Sequence, residues 1–125
     1  MTPPEGGYVP GRHKIDDYGG GGFRFADMSH KGSILALPSG VRAMALTQAA
    51  EIDAATIDCA LSESGGLDFF IVGTGKDLLP LAARLRAQLR AAGVGSETMA
   101  TGAAVRTYNM LVDEDRRVGA LLIAV

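Results

Sequence analysis

The chain has 125 residues, 47% of them hydrophobic and 21% charged, with a formal net charge of −2. That length excludes two full cores, the apolar share excludes disorder over most of the chain, and the missing basic excess excludes the usual profile of a nucleic-acid binder. A chain of this size hides about two thirds of its unfolded surface, enough to hold a fold without metal or disulfide.

Residues 1–12 are rich in Gly and Pro and read as a flexible N-terminal arm, with a single domain over residues 13–125. Gly19-Gly20-Gly21-Gly22 lies between Ile15-Asp16-Asp17-Tyr18 and Phe23-Arg24-Phe25, where alternation predicts strands. A glycine run there supplies positive φ for a hairpin turn. A phosphate-cradling loop would need a helix directly after it, and none is signalled. Residues 33–37 and 41–46 form a second hairpin around Pro38-Ser39-Gly40, where Pro sets one turn φ and Gly accepts another. The first half is therefore antiparallel and β-rich.

The period then changes. Asp53 is a candidate N-cap, and Ile57, Ala60 and Leu61 form the buried stripe of a helix that stops near Gly65-Gly66. Cys59 falls off the centre of that stripe and reads as core filler or a partly buried thiol, with no base or positive neighbour near it in sequence to activate it. Leu67-Asp68-Phe69-Phe70-Ile71-Val72 lacks alternation, which predicts an interior strand covered on both faces. It runs into Gly73-Thr74-Gly75-Lys76 and then a helix with Leu78, Leu81, Leu85 and Leu89 at helical spacing, Pro80 in its first turn and Gly93 at its end. Residues 94–99 predict a short strand. Thr101 caps a helix to about Val112, and residues 113–117 are a charged turn. Residues 118–125 are an apolar strand.

Two segments are candidates for chemistry. The Gly73-Thr74-Gly75-Lys76 turn between a buried strand and a helix N-terminus suits an anion, because free backbone N–H groups and the positive helix end meet there. Asp77 follows Lys76, so it is no P-loop, and Leu78 stands where a dinucleotide fingerprint needs glycine. Arg106-Thr107-Tyr108-Asn109 is the second. Arg106 and Asn109 share a helix face, and such a pair holds a carboxylate or phosphate, or else satisfies buried backbone carbonyls. The expected ligand-binding set is thus Gly73, Thr74, Gly75, Lys76, Thr101, Arg106, Thr107, Tyr108 and Asn109. His13 and His30 lack metal-ligand spacing, and Asp16-Asp17 point to opposite sides of a strand. No catalytic residue, metal or cofactor is assigned.

The lone cysteine fits a reducing compartment, no apolar run approaches the ~18 residues of a membrane span, and the first residues resemble neither a signal peptide nor a presequence. The expectation is a cytoplasmic protein that does not span a membrane.

Residues 15–18 with the following glycines, Gly73-Thr74-Gly75, Glu97-Thr98-Met99 with Thr101, Ala103-Ala104, Arg106-Thr107-Tyr108-Asn109-Met110-Leu111 and Arg117-Val118 resemble one family of small domains. It includes mitochondrial NADH dehydrogenase (complex I) assembly factor 3 and the adipogenesis-associated protein of animals. The resemblance spans residues 13–125. Members often carry Cys just before the Arg, where this chain has Val105. The resemblance implies a three-layer α/β fold, with a central mixed β-sheet, helices on one side and a β-hairpin layer plus helix on the other. It also implies a non-enzymatic accessory factor that binds protein partners during assembly of a membrane complex. The residues themselves offer a second reading: a small-molecule or anion binder, open to catalysis, with its pocket between the Gly73–Lys76 turn and the helix bearing Arg106.

Overall fold

The computed structural model describes residues 7–125. Over these residues the order is β1 (Tyr8–Pro10), β2 (Asp17–Gly19), β3 (Gly22–Phe25), β4 (Met28–Lys31), β5 (Ser33–Leu37), β6 (Gly40–Met44), α1 (Ala54–Leu61), β7 (Phe69–Gly73), α2 (Ala83–Ala91), β8 (Gly95–Met99), α3 (Thr101–Asp113) and β9 (Val118–Leu122). A 3-10 turn, Ala49–Glu51, precedes α1. One sheet has the order β1-β6-β5-β9-β7-β8, and β2, β3 and β4 form a smaller one. The large sheet is antiparallel from β1 to β9 and parallel from β9 to β8.

Strand alternation sorts the core into two layers. Ile34, Ala36, Ile71, Ala120 and Leu122 pack under Ala104, Val105 and Tyr108 of α3 and under Phe23, Phe25 and Met28 of the small sheet. Leu35, Leu37, Phe70, Val72 and Leu121 pack under Ile57 and Ala60 of α1 and Leu85 and Leu89 of α2. This is the expected three-layer order. β7 leads through α2 to β8 on one side of it, and β8 leads through α3 to β9 on the other. Right-handed crossovers that run in opposite directions place their helices on opposite faces, which is where α2 and α3 lie.

Several expectations need correction. Tyr8–Pro10, inside the expected arm, pairs with β6, and the Arg42 guanidinium sits 5.3 Å from the Tyr8 ring centroid. Residues 1–6 of the expected arm lie outside the described residues. Gly40 closes its hairpin opposite Leu37 but supplies no left-handed φ. It is glycine because a Cβ would lie 2.5 Å from the Tyr8 hydroxyl oxygen. The helix expected from Leu78 starts only at Ala83. Pro80 disfavours a helical Leu79. The Thr74 hydroxyl accepts from the Leu79 N–H at 3.0 Å and donates to the Asp77 carbonyl at 2.6 Å, which holds the segment as a loop.

Thr101 is the first residue of α3, and Ala100 is its N-cap. The buried Thr101 hydroxyl accepts from the Gly75 N–H at 2.9 Å and donates to the Ile123 carbonyl at 2.8 Å. The Thr101 N–H donates to the Gly75 carbonyl at 2.8 Å. Gly75 follows β7, Thr101 follows β8 and Ile123 follows β9, so one side chain clasps the ends of three parallel strands.

Replacing Thr101 by Val keeps the volume and leaves a buried N–H and C=O without partners, at about 1–3 kcal/mol each. The urea midpoint of Thr101→Val falls accordingly, and Thr101→Ser recovers most of the loss; an unchanged midpoint in the Val variant would remove the clasp. Deleting residues 122–125 strips the burial of Leu122 and Ile123, roughly 1.5–3 kcal/mol each, and the bond from the Ala124 N–H to the buried Ser33 hydroxyl. Against a total of about 5–15 kcal/mol the truncated chain is unfolded by circular dichroism. The Asp53 carboxylate caps α1 by accepting from the Thr56 N–H and hydroxyl, both at 2.9 Å, and these bonds lower its pKa. A lowered pKa contributes stability above the unfolded value, and that stability is lost as pH falls through the folded one. The melting gap between parent and Asp53→Ala is therefore full at neutral pH and closes in acid.

Candidate functional site

The carboxyl ends of β7, β8 and β9 meet at one edge of the sheet, where open α/β folds place their ligands. A cleft of about 310 Å³ opens there. Gly75 and Lys76 form one wall, and Ala100, Gly102, Ala103 and Arg106 of the α3 start form the other. Tyr18 and Val125 complete it. Tyr18 arrives from the small sheet and crosses α3 at Gly102, where a Cβ would lie 2.5 Å from its hydroxyl oxygen. Glycine at 102 therefore admits the phenol to the first turn of α3.

Two cationic side chains line the cleft. Lys76 and Arg106 are both exposed, and among the described residues neither joins an ion pair. No Asp or Glu lines the cleft, and none occupies the first turn of α3. Among the described residues no acceptor meets the backbone N–H of Gly102 or Ala103. Two cations beside the positive end of a helix repel it, and an anion between them relieves that repulsion.

The helix end at the glycine turn is thus that of α3. The expected partner was α2, which begins seven residues after Lys76 because of the Pro80 loop. Of the nine expected ligand residues, Gly75, Lys76 and Arg106 line this cleft. Gly73 lies beneath it, with the Ala104 Cβ 3.0 Å from where its own Cβ would be. Thr74 and Thr101 are spent on the loop and the clasp. Half-buried Thr107 does not line the cleft.

Tyr108 and Asn109 are engaged by the segment that precedes β2. The Tyr108 hydroxyl donates to the His13 carbonyl at 3.0 Å. Burial pushes its pKa up to about 12, against a lowering pull from Arg12. The Asn109 amide accepts from the Ile15 N–H and donates to the Ile15 carbonyl, each at 2.8 Å. It pairs with the segment before β2 as a neighbouring strand would. Of the two readings of the Arg106–Asn109 pair, backbone satisfaction therefore describes Asn109, and only Arg106 is left to a ligand.

Sequence reasoning missed Tyr18, Gly102 and Val125 as cleft residues. Tyr18 carries only a faint signal, as the aromatic that precedes the glycine run. Among the described residues no group of three or more His, Cys, Asp or Glu side chains is placed to hold a metal ion, and no helix is long and apolar enough to cross a membrane.

Relatives share this architecture. A crystal structure described as an outer membrane protein from Bartonella henselae is 50% identical, with 93% of this chain and 98% of that one covered and a TM-score of 0.88. An NMR structure of a Rhodopseudomonas palustris protein is 43% identical over 94% of this chain and 89% of that one, with a TM-score of 0.80. A protein of Rhodobacter capsulatus, described as uncharacterized, is 38% identical over 123 residues, which are 98% of this chain and 93% of that one. The family model described as a protein of unknown function (DUF498/DUF598) matches residues 15–123, and the chain belongs to that family.

Proposed function

We propose that this protein is a binding protein whose site is the cleft between Gly75–Lys76 and the start of α3, and that the group it takes is anionic, a phosphate or carboxylate. One observation carries the reading: Lys76 and Arg106 face a cleft with no acidic side chain in its lining, beside free N–H groups of α3. The Tyr18 hydroxyl, next to Gly102, adds a neutral donor. Arg106 offers the planar fork that suits such an anion, and Lys76 a mobile point charge.

The accessory role in assembly of a membrane complex, which the resemblance implies, is the second reading. It is favoured by Leu78 and Leu79, which stand 62% and 47% exposed on the loop after Lys76. An apolar pair beside a charged cleft gives a protein partner something to bury. On this reading the anion is a side chain of that partner.

A thermal-shift series with phosphate, nucleotides and small carboxylates tests the proposal. At a concentration one hundred times the dissociation constant, a bound anion stabilises the parent by about 2.7 kcal/mol, a shift of several degrees. Arg106→Ala and Lys76→Ala melt within a degree or two of the parent without ligand, because both side chains are exposed, and lose the shift with it. A large fall in the unliganded melting temperature of Arg106→Ala would make that residue structural.

A further inference from the structure

The cleft does not end at Lys76. It shares Gly75, Lys76 and Val125 with a second cleft of about 420 Å³, to which Thr47, Gln48 and Ile123 contribute. The second shares Ala49, Thr74 and Leu79 with a third of about 270 Å³, walled by Ile52, Pro80, Leu81 and Leu85. The three adjoin through these shared walls, as a furrow that starts at the carboxyl ends of the parallel strands and continues to the loop before α2.

Their chemistry changes along the way. The first is cationic. The third is aliphatic apart from Thr74 and Arg84. Asp77, in the middle, is the one acidic residue among the three linings. It disfavours an anion there and leaves Lys76 and Arg106 as the place for one. Leu79 lies at the join of the second and third clefts, half exposed. A large aliphatic side chain left in water beside an aliphatic channel gains by covering.

From this gradient we infer that the furrow takes one amphipathic molecule, an anion-headed alkyl chain. Its head lies between Lys76 and Arg106, and its tail runs past Leu79 toward Ile52 and Leu81. The inference rests on the anion site proposed above and adds the class of ligand. The ligand is a single molecule lifted into the furrow, since three joined clefts follow the length of one chain and half-bury it, whereas a bilayer surface would need a flat or convex face.

Titration calorimetry with inorganic phosphate and with butyl, hexyl and octyl phosphate, each below its micelle-forming concentration, is the test. Affinity rises roughly fourfold for each two methylenes, about what half-burial of the chain delivers. In Leu79→Ser the rise flattens. In Arg106→Ala every member of the series weakens together. A flat series in the parent, with inorganic phosphate still bound, overturns the amphipathic ligand and leaves the anion site standing. No binding of phosphate or of any alkyl phosphate removes both. Binding to phosphatidic acid vesicles without binding of octyl phosphate puts the protein on a membrane surface and overturns the single-molecule furrow.

Discussion

A buried hydroxyl group decides the geometry of one whole end of this molecule. Three parallel strands leave the sheet in three directions, and each must then satisfy backbone groups that no further strand will pair. The Thr101 side chain answers two of these demands and its own N–H a third. The Thr101 side chain has no exposure, so bulk solvent does not reach it. The candidate cleft inherits its shape from this arrangement. Lys76 stands one residue beyond a clasped Gly75, and Arg106 sits in the second turn of a helix that begins at the clasp. Neither cation has to be positioned by a partner of its own, which leaves both available.

The layers around that end follow from the strands. β5, β7 and β9 bury side chains on both faces, so each needs cover above and below. Two helices supply it on one side. On the other, α3 covers only part, and the small sheet supplies the rest through Phe23, Phe25 and Met28. Asn109 and Tyr108 fasten the segment that leads into the small sheet onto α3. The same helix therefore holds the fold with one face and offers Arg106 on another. That division explains why four consecutive polar residues occur in its middle.

Much of this was legible in the residues. The unbroken apolar runs announced β7 and β9 as interior strands, because only a doubly covered strand can dispense with polar positions. The Gly20-Gly21 turn, Asp53 at its cap and Gly93 at a helix end followed from local backbone chemistry. β4 did not, because its hairpin turns on Ala26 and Asp27 at φ of 50° and 59°. Those residues pay steric strain that the usual Asn-Gly pair avoids, so no turn is announced. At the candidate cleft, Lys76 and Arg106 are legible as lining residues because their segments have unusual composition. Tyr18 was not, since it comes from a strand more than fifty residues earlier and meets Gly102 only through tertiary packing. Helical periodicity in residues 78–92 misplaced the start of α2, because the leucine spacing continues through a loop that Pro80 excludes from the helix.

The position of β9 has a further consequence for how the chain reaches this state. Its partners are β5, with Ile34 opposite Leu122, and β7. The first of these pairings spans most of the sequence, and loop closure over such a distance must precede any gain from the contact. Until β9 inserts, β5 and β7 each present an aliphatic edge with open hydrogen-bonding groups, the form of surface that recruits strands from other molecules. Self-association during refolding should therefore be at its height before the last strand docks, and a chaperone that shields strand edges would act on that interval.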